Sequence, residues 1–168
     1  LISAAEINSN DIVIEVGPGT GNLTQKLAVK AGTVIAIEKD HRLIDDLKEK
    51  FKNQANVKII EGDVLKFKIE NLKLTNYKVV GNIPYYITSN LLRVIFDPAG
   101  SRGTADRQSD MGRASSGARK WPKPELIVFT IQKEVAQRIM ARPPHMNLLA
   151  LSVQYYAEPE IISYVSKN

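Results

Sequence analysis

The chain has 168 residues, 43% of them hydrophobic and 24% charged, which is enough for one ordinary core and one domain. It contains no cysteine and two histidines, which excludes disulfides, thiolate metal sites and a cysteine nucleophile and leaves little from which to build a metal centre. A formal charge of +5 and a pI near 9.4 suit a polyanionic partner, although the basic surplus is spread along the chain rather than gathered in one block.

No apolar run approaches the ~20 residues of a membrane span, and the N-terminus shows no charged region followed by an apolar one. The expectation is a cytoplasmic monomer with no membrane or metal partner. Short β-branched runs then alternate with amphipathic stretches. Strands are predicted at Ile12 to Val16, Thr33 to Glu38, Val57 to Glu61, Tyr77 to Asn82 and Leu126 to Ile131. Helices are predicted at Leu23 to Ala31, Arg42 to Phe51, Ser89 to Phe96, Lys133 to Met140 and Met146 to Ala157, and a last strand at Glu160 to Val165. That rhythm predicts an α/β fold, a mostly parallel sheet with helices on both faces. Leu43, Leu47 and Phe51 give the second helix one apolar stripe. Residues 97–120 break the pattern with Gly, Ser, Arg and Asp and carry too little apolar surface to offset their ordering entropy, so a disordered insertion is expected there.

Three strand ends carry the first candidate site. Gly17, Gly19 and Gly21 follow the first strand with spacing G-x-G-x-G, which lets a backbone approach a nucleotide closely. The dinucleotide fingerprint has its third glycine one place later, where Asn22 stands, which argues against a nicotinamide enzyme. Glu15, inside the strand, can reach an ammonium group or order the loop amides. Glu38 closes the second strand where an acid accepts from ribose hydroxyls, and Asp40 reads as a helix cap. Asp63, just past the third strand, can accept from an adenine amine, the alternative being a Gly-Asp turn.

The second candidate site is Asn82-Ile83-Pro84-Tyr85, followed by Tyr86, at the end of the fourth strand. A polar amide, a rigid proline and an aromatic face together make a pocket for a flat, amine-bearing base.

In this order the pieces resemble a class I S-adenosylmethionine-dependent methyltransferase with a Rossmann-like sheet. Asn82-Ile83-Pro84-Tyr85 is similar to the fourth motif of the ribosomal RNA adenine N6-dimethyltransferases, the KsgA/Dim1 group, with the Erm methylases as close cousins. Val128 to Ile139 and Asn147 to Tyr156 extend the likeness, which covers nearly the whole chain outside residues 97–120. The resemblance implies S-adenosyl-L-methionine as cofactor, held by Glu15, Gly17, Gly19, Gly21, Glu38, Asp63 and Asn82, and small-subunit ribosomal RNA as partner. It implies that the Asn82 side-chain oxygen and the carbonyl of Ile83 or Pro84 accept from the adenine amine while Tyr85 stacks on the base. It further implies that this chain is one catalytic domain without the family's N-terminal closing segment, final strand and helical RNA-binding domain. Two other readings remain open at this point. One is a noncatalytic ribosome-assembly factor on the same fold; the other is a DNA or small-molecule methyltransferase, which Ile83 disfavours.

Overall fold

Successive strand side chains point to opposite faces of a sheet, and two apolar layers form accordingly. From β1 (Ile12–Val16), Val13 joins Val34, Val80, Leu27 and Ala31 on one face, while Ile14 and Val16 join Ile35, Ile37, Val79 and Leu91 on the other. The computed structural model describes residues 1–96 and 121–165, apart from the side chains of Glu70 and Asn71. The insertion expected at 97–120 lies outside the described residues.

β1 is flanked by β2 (Thr33–Glu38) and β4 (Lys78–Asn82), with β3 (Val57–Glu61) and β5 (Leu126–Thr130) at the edges. The order is β3-β2-β1-β4-β5 and every pairing is parallel. The three inner strands are almost wholly buried and the two edges half-buried. Burial on both faces explains why the inner strands read as continuous Val/Ile runs rather than alternating ones.

α1 (Asn22–Ala28) covers the Val13 face through Leu27. α3 (Tyr85–Phe96), α4 (Lys133–Ile139) and α5 (Leu148–Gln154) cover the other through Leu91, Ile95, Ile139 and Val153. α2 (Ile44–Phe51) is preceded by a 3-10 turn, His41–Leu43, in which the Arg42 amide donates to the capping Asp40 side chain. Leu47 and Phe51 of the expected stripe are buried, but the turn replaces its first member: Ile44 is buried and Leu43 only half so. α5 is shorter than the span from Met146 to Ala157 because Asn147 caps it, accepting from the Ala150 amide at 3.0 Å. Asn147 and Gln154 also donate to the carbonyls of Arg138, Ile139 and Ala141, which ties the end of α4 to α5.

Glu160 to Val165 does not form the expected strand. A strand needs a ladder partner, and among the described residues the sheet ends at β5. Tyr164 instead places its ring 5.7 Å from the Lys133 ammonium. At the opposite end of the sheet, buried Lys78 donates to the Glu6 carbonyl and the Asp11 carboxylate, each at 2.9 Å, and holds the N-terminal segment against β4. Burial raises the Asp11 carboxyl, but the Asn8 amide and Lys78 outweigh it and hold the group below its usual range.

Candidate active site

From β1 the chain runs outward to β2 and β3 on one side, then crosses to β4 and β5 on the other. The order therefore reverses between β1 and β4, and ligands of open α/β sheets lie beyond the strand carboxyl ends at such a point. The Gly17 loop follows β1, Glu38 ends β2, Gly62-Asp63 follows β3 and Asn82 ends β4, so all the sequence candidates lie along this one edge. Val16 pairs with Gly81, which makes the glycine loop and Asn82 near neighbours.

Gly17, Gly19 and Gly21 have φ of +66°, +57° and +78°, a region that residues with a Cβ enter only at a cost. Their surroundings differ. A Cβ at Gly17 or Gly19 would meet nothing within 4 Å, so these two face an open cradle. A Cβ at Gly21 would lie 2.7 Å from the Phe51 ring and 3.0 Å from Leu47. Gly21 thus serves the packing of α1 on α2. Gly21→Ala is expected to destabilise the fold by about 2 kcal/mol through backbone strain and overpacking together, read as a lower urea midpoint with an unchanged slope.

The loop is fixed from three sides. The Gly17 amide donates to the Ile37 carbonyl at 3.0 Å, the Gly19 amide to Glu38 Oε2 at 3.0 Å, and Lys50 to the Thr20 carbonyl at 2.8 Å. Glu38 Oε1 also accepts from the amides of Lys39 and Asp40, both at 2.8 Å. A carboxylate has about four acceptor positions. Glu38 therefore organises two loops and keeps capacity for one further donor.

Beneath the loop, Glu15 is 1% exposed and its Oε2 has no hydrogen-bond partner, and neither has Oγ1 of buried Thr24 on α1. Burial pushes the Glu15 carboxyl up to about 7; the nearby Thr24 hydroxyl and amide offset part of that, and the Glu38 charge adds to it. Asp63 is held the other way. Burial raises it, but the Lys39 ammonium 3.0 Å from Oδ2 and the Leu65 amide 3.0 Å from Oδ1 bring it below the usual carboxylate range.

The acceptor-side tetrapeptide is anchored at its apolar residue. Ile83 is 5% exposed and its amide donates to the Thr130 carbonyl of β5 at 3.0 Å. At Gly81 a Cβ would lie 2.8 Å from the Val16 carbonyl oxygen and 2.7 Å from Ile83 Cδ1, so only glycine permits this close approach of β4 to β1. Asn82 and Pro84 are exposed. α3 starts at Tyr85, four residues before the expected Ser89, because the Pro84 carbonyl receives the Ile87 amide at 3.2 Å and the Thr88 hydroxyl at 3.1 Å. Tyr85 and Tyr86 consequently stand on a helical first turn, 68% and 69% exposed, edge to face with ring centres 5.6 Å apart.

Thr24, Lys39 and Lys50 were not among the sequence candidates. Each acts through a contact made across the fold, and a lone Thr or Lys on a helix or loop carries no local mark. Among the described residues, no group of three or more His, Asp or Glu side chains could hold a metal, and no helix is long and apolar enough to cross a membrane. The open space at Gly17 and Gly19, with acids at both further strand ends, fits an adenosine bearing an amino-acid tail.

A parallel sheet in this order, with its glycine loop and acids gathered at one edge, is the core of the class I S-adenosylmethionine-dependent methyltransferase fold. The chain belongs to the ribosomal RNA adenine dimethylase family, whose model matches it over residues 1–168. It is 41% identical to the ribosomal RNA small subunit methyltransferase A of Dehalococcoides mccartyi over 167 residues, covering 98% of this chain and 50% of that protein. With the protein of the same name from Moorella thermoacetica the identity is 36%, covering 98% and 54%. Among solved structures, a dimethyladenosine transferase from Plasmodium falciparum superposes with a TM-score of 0.60 at 33% identity, covering 84% of this chain and 42% of that one. The 23S rRNA methyltransferase ErmE also gives 0.60, at 27% identity over 81% and 45%. The chain thus spans about half the length of the relatives it matches.

Proposed function

We propose that residues 1–168 form one catalytic domain that transfers methyl groups from S-adenosyl-L-methionine to the exocyclic N6 of adenines in small-subunit ribosomal RNA, giving N6,N6-dimethyladenine. The observation that carries this reading is Asn82-Ile83-Pro84-Tyr85, exposed at its polar and aromatic positions and anchored at Ile83, at the strand end beside the open glycine cradle. The names of the relatives that match nearly the whole chain support the acceptor.

On this reading Gly17 and Gly19 give the cofactor room, Glu38 accepts from a ribose hydroxyl, Asp63 accepts from the adenine amine and Glu15 faces the ammonium end. Gly21 supports them through packing. The cofactor supplies an electrophilic methyl on a sulfonium. The acceptor's exocyclic nitrogen is a poor nucleophile because its lone pair is delocalised into the ring. Asn82 Oδ1 and a backbone carbonyl, by accepting from that amine, favour the pyramidal form with its lone pair free. The Ile83 carbonyl is the better acceptor for this bond, since the Pro84 carbonyl already accepts from Ile87 and Thr88. Tyr85 stacks on the base, with Tyr86 edge-on behind it. Drawing the base out of its stack costs a few kcal/mol, least in an unpaired RNA loop. The alkylated nitrogen then loses its proton to water or past the Asn82 amide, so no dedicated base is required.

Calorimetric titration with S-adenosylmethionine should give saturable micromolar binding. Methyl incorporation should follow with unmethylated small subunits and not with large-subunit RNA or DNA. Cofactor binding with transfer to large-subunit RNA alone would make the protein Erm-like in acceptor. Binding without transfer to any RNA would point to a noncatalytic assembly factor.

A further inference from the structure

Lys39 lies between the two acids assigned to the adenosine end of the pocket. Its amide donates to Glu38 Oε1 at 2.8 Å, and its ammonium sits 3.0 Å from Asp63 Oδ2, while Oδ1 of the same carboxylate is committed to the Leu65 amide. An adenine amine therefore meets a carboxylate already partnered by a cation. Gly62, Asp63, Lys66, Phe67 and Lys68 border an open depression at this point, so water and salt reach the pair.

We infer that Lys39 is a specificity-determining latch on the adenine end of the pocket, its ammonium competing with the base's exocyclic amine for Asp63. A free carboxylate makes a charge-assisted bond to a neutral amine; one already neutralised by an ammonium is the weaker acceptor. The pair opens readily because the Lys39 side chain is 71% exposed and Asp63 20%, and exposed pairs of this kind hold weakly. The same ammonium has the opposite effect on a base that carries an oxygen in place of the amine. It donates to that oxygen and shields it from the carboxylate. Lys39 thus narrows the preference for a 6-amino over a 6-oxo purine. Lys66 also bears on the Asp63 charge, but it makes no ion pair with Asp63, which leaves Lys39 as the residue in contact.

This inference rests on the proposed cofactor reading, and the test separates the two. S-adenosylhomocysteine and its deaminated, inosine-bearing analogue are titrated into the wild-type protein, Lys39→Met and Lys39→Arg by calorimetry. Lys39→Met, which keeps the aliphatic stem, should bind the adenosyl compound about three- to fivefold more tightly at low salt and the inosyl compound no better, so that the ratio of the two affinities rises. Lys39→Arg, retaining the cation, should keep the wild-type ratio. The gain should shrink at about 0.5 M salt, where the pair is screened. An unchanged ratio in Lys39→Met, or weaker adenosyl binding, would overturn the latch while leaving the pocket assignment standing. Failure of folded wild-type protein to bind the adenosyl compound at all would overturn the pocket reading and the latch with it.

Discussion

Asn82→Ala is expected to lower methyl transfer by about 10²- to 10³-fold while changing affinity for S-adenosylmethionine by less than about threefold, since an interaction made mainly with the reacting amine acts on rate rather than on cofactor binding. The structure favours a clean result. Asn82 is exposed, it makes no side-chain hydrogen bond among the described residues, and its neighbours Gly81 and Ile83 carry the packing that fixes the end of β4. Truncation leaves no buried partner unsatisfied, so the urea midpoint should stay at its wild-type value. Single-turnover methylation and a calorimetric Kd measured on the same sample separate the two effects. Equal losses in rate and in cofactor affinity would remove Asn82 from the acceptor side and make it a cofactor contact. Tyr85→Ala offers a graded comparison. Loss of base stacking is worth about 1–3 kcal/mol, a smaller drop in rate that should reappear as weaker RNA binding.

The sequence made the sheet readable because its strands are buried Val/Ile runs closed by residues that cannot continue them. β1, β2 and β3 fall at the predicted bounds, each ending where a glycine or an acid meets the open edge. The glycine loop, Glu38, Asp63 and Asn82 were legible for the same reason: each is a local signal at a strand end. What was not legible depends on distance along the chain. Nothing in Lys78, embedded in an apolar run, announces the partner it finds in Asp11; nothing in Lys39 announces Asp63. The early start of α3 came from two bonds to the Pro84 carbonyl, which a proline in sequence suggests only as a boundary. Glu160 to Val165 has strand composition without a strand, because propensity describes a surface that packs and pairs, and no ladder reaches it among the described residues. Of the three glycines with one spacing and one backbone conformation, only the contacts of a notional Cβ separate the two that face open space from the one that faces Phe51.

Glu15→Gln is expected to stabilise the protein above pH 7 and to weaken cofactor binding at the same time. The carboxyl titrates at about 7 in the folded state against an ordinary value of 4.5, with burial as the main cause. A group raised in this way contributes fully below pH 4.5, where both states carry the proton. Its contribution is lost between pH 4.5 and 7, as the unfolded chain gives up its proton first, and above pH 7 the buried charge costs about 3 kcal/mol relative to the neutral form. Gln is never charged, and its side-chain oxygen can still accept from the Thr24 hydroxyl and amide that lie beside this position. The difference in unfolding free energy between variant and wild type should therefore be near zero at pH 4.5, grow through the interval and level off above 7. Urea titrations at several pH values measure it, and because only the difference is used, titrating groups that do not interact with Glu15 cancel. A pH-independent difference would mean that Glu15 is as well satisfied as a carboxylate in the fold as in water. On the proposed reading the charge is retained because it faces the cofactor's ammonium, which offsets it only when the pocket is filled. The wild-type protein should then gain more stability from saturating S-adenosylmethionine at pH 8 than Glu15→Gln does, and equal gains would separate Glu15 from the ammonium site.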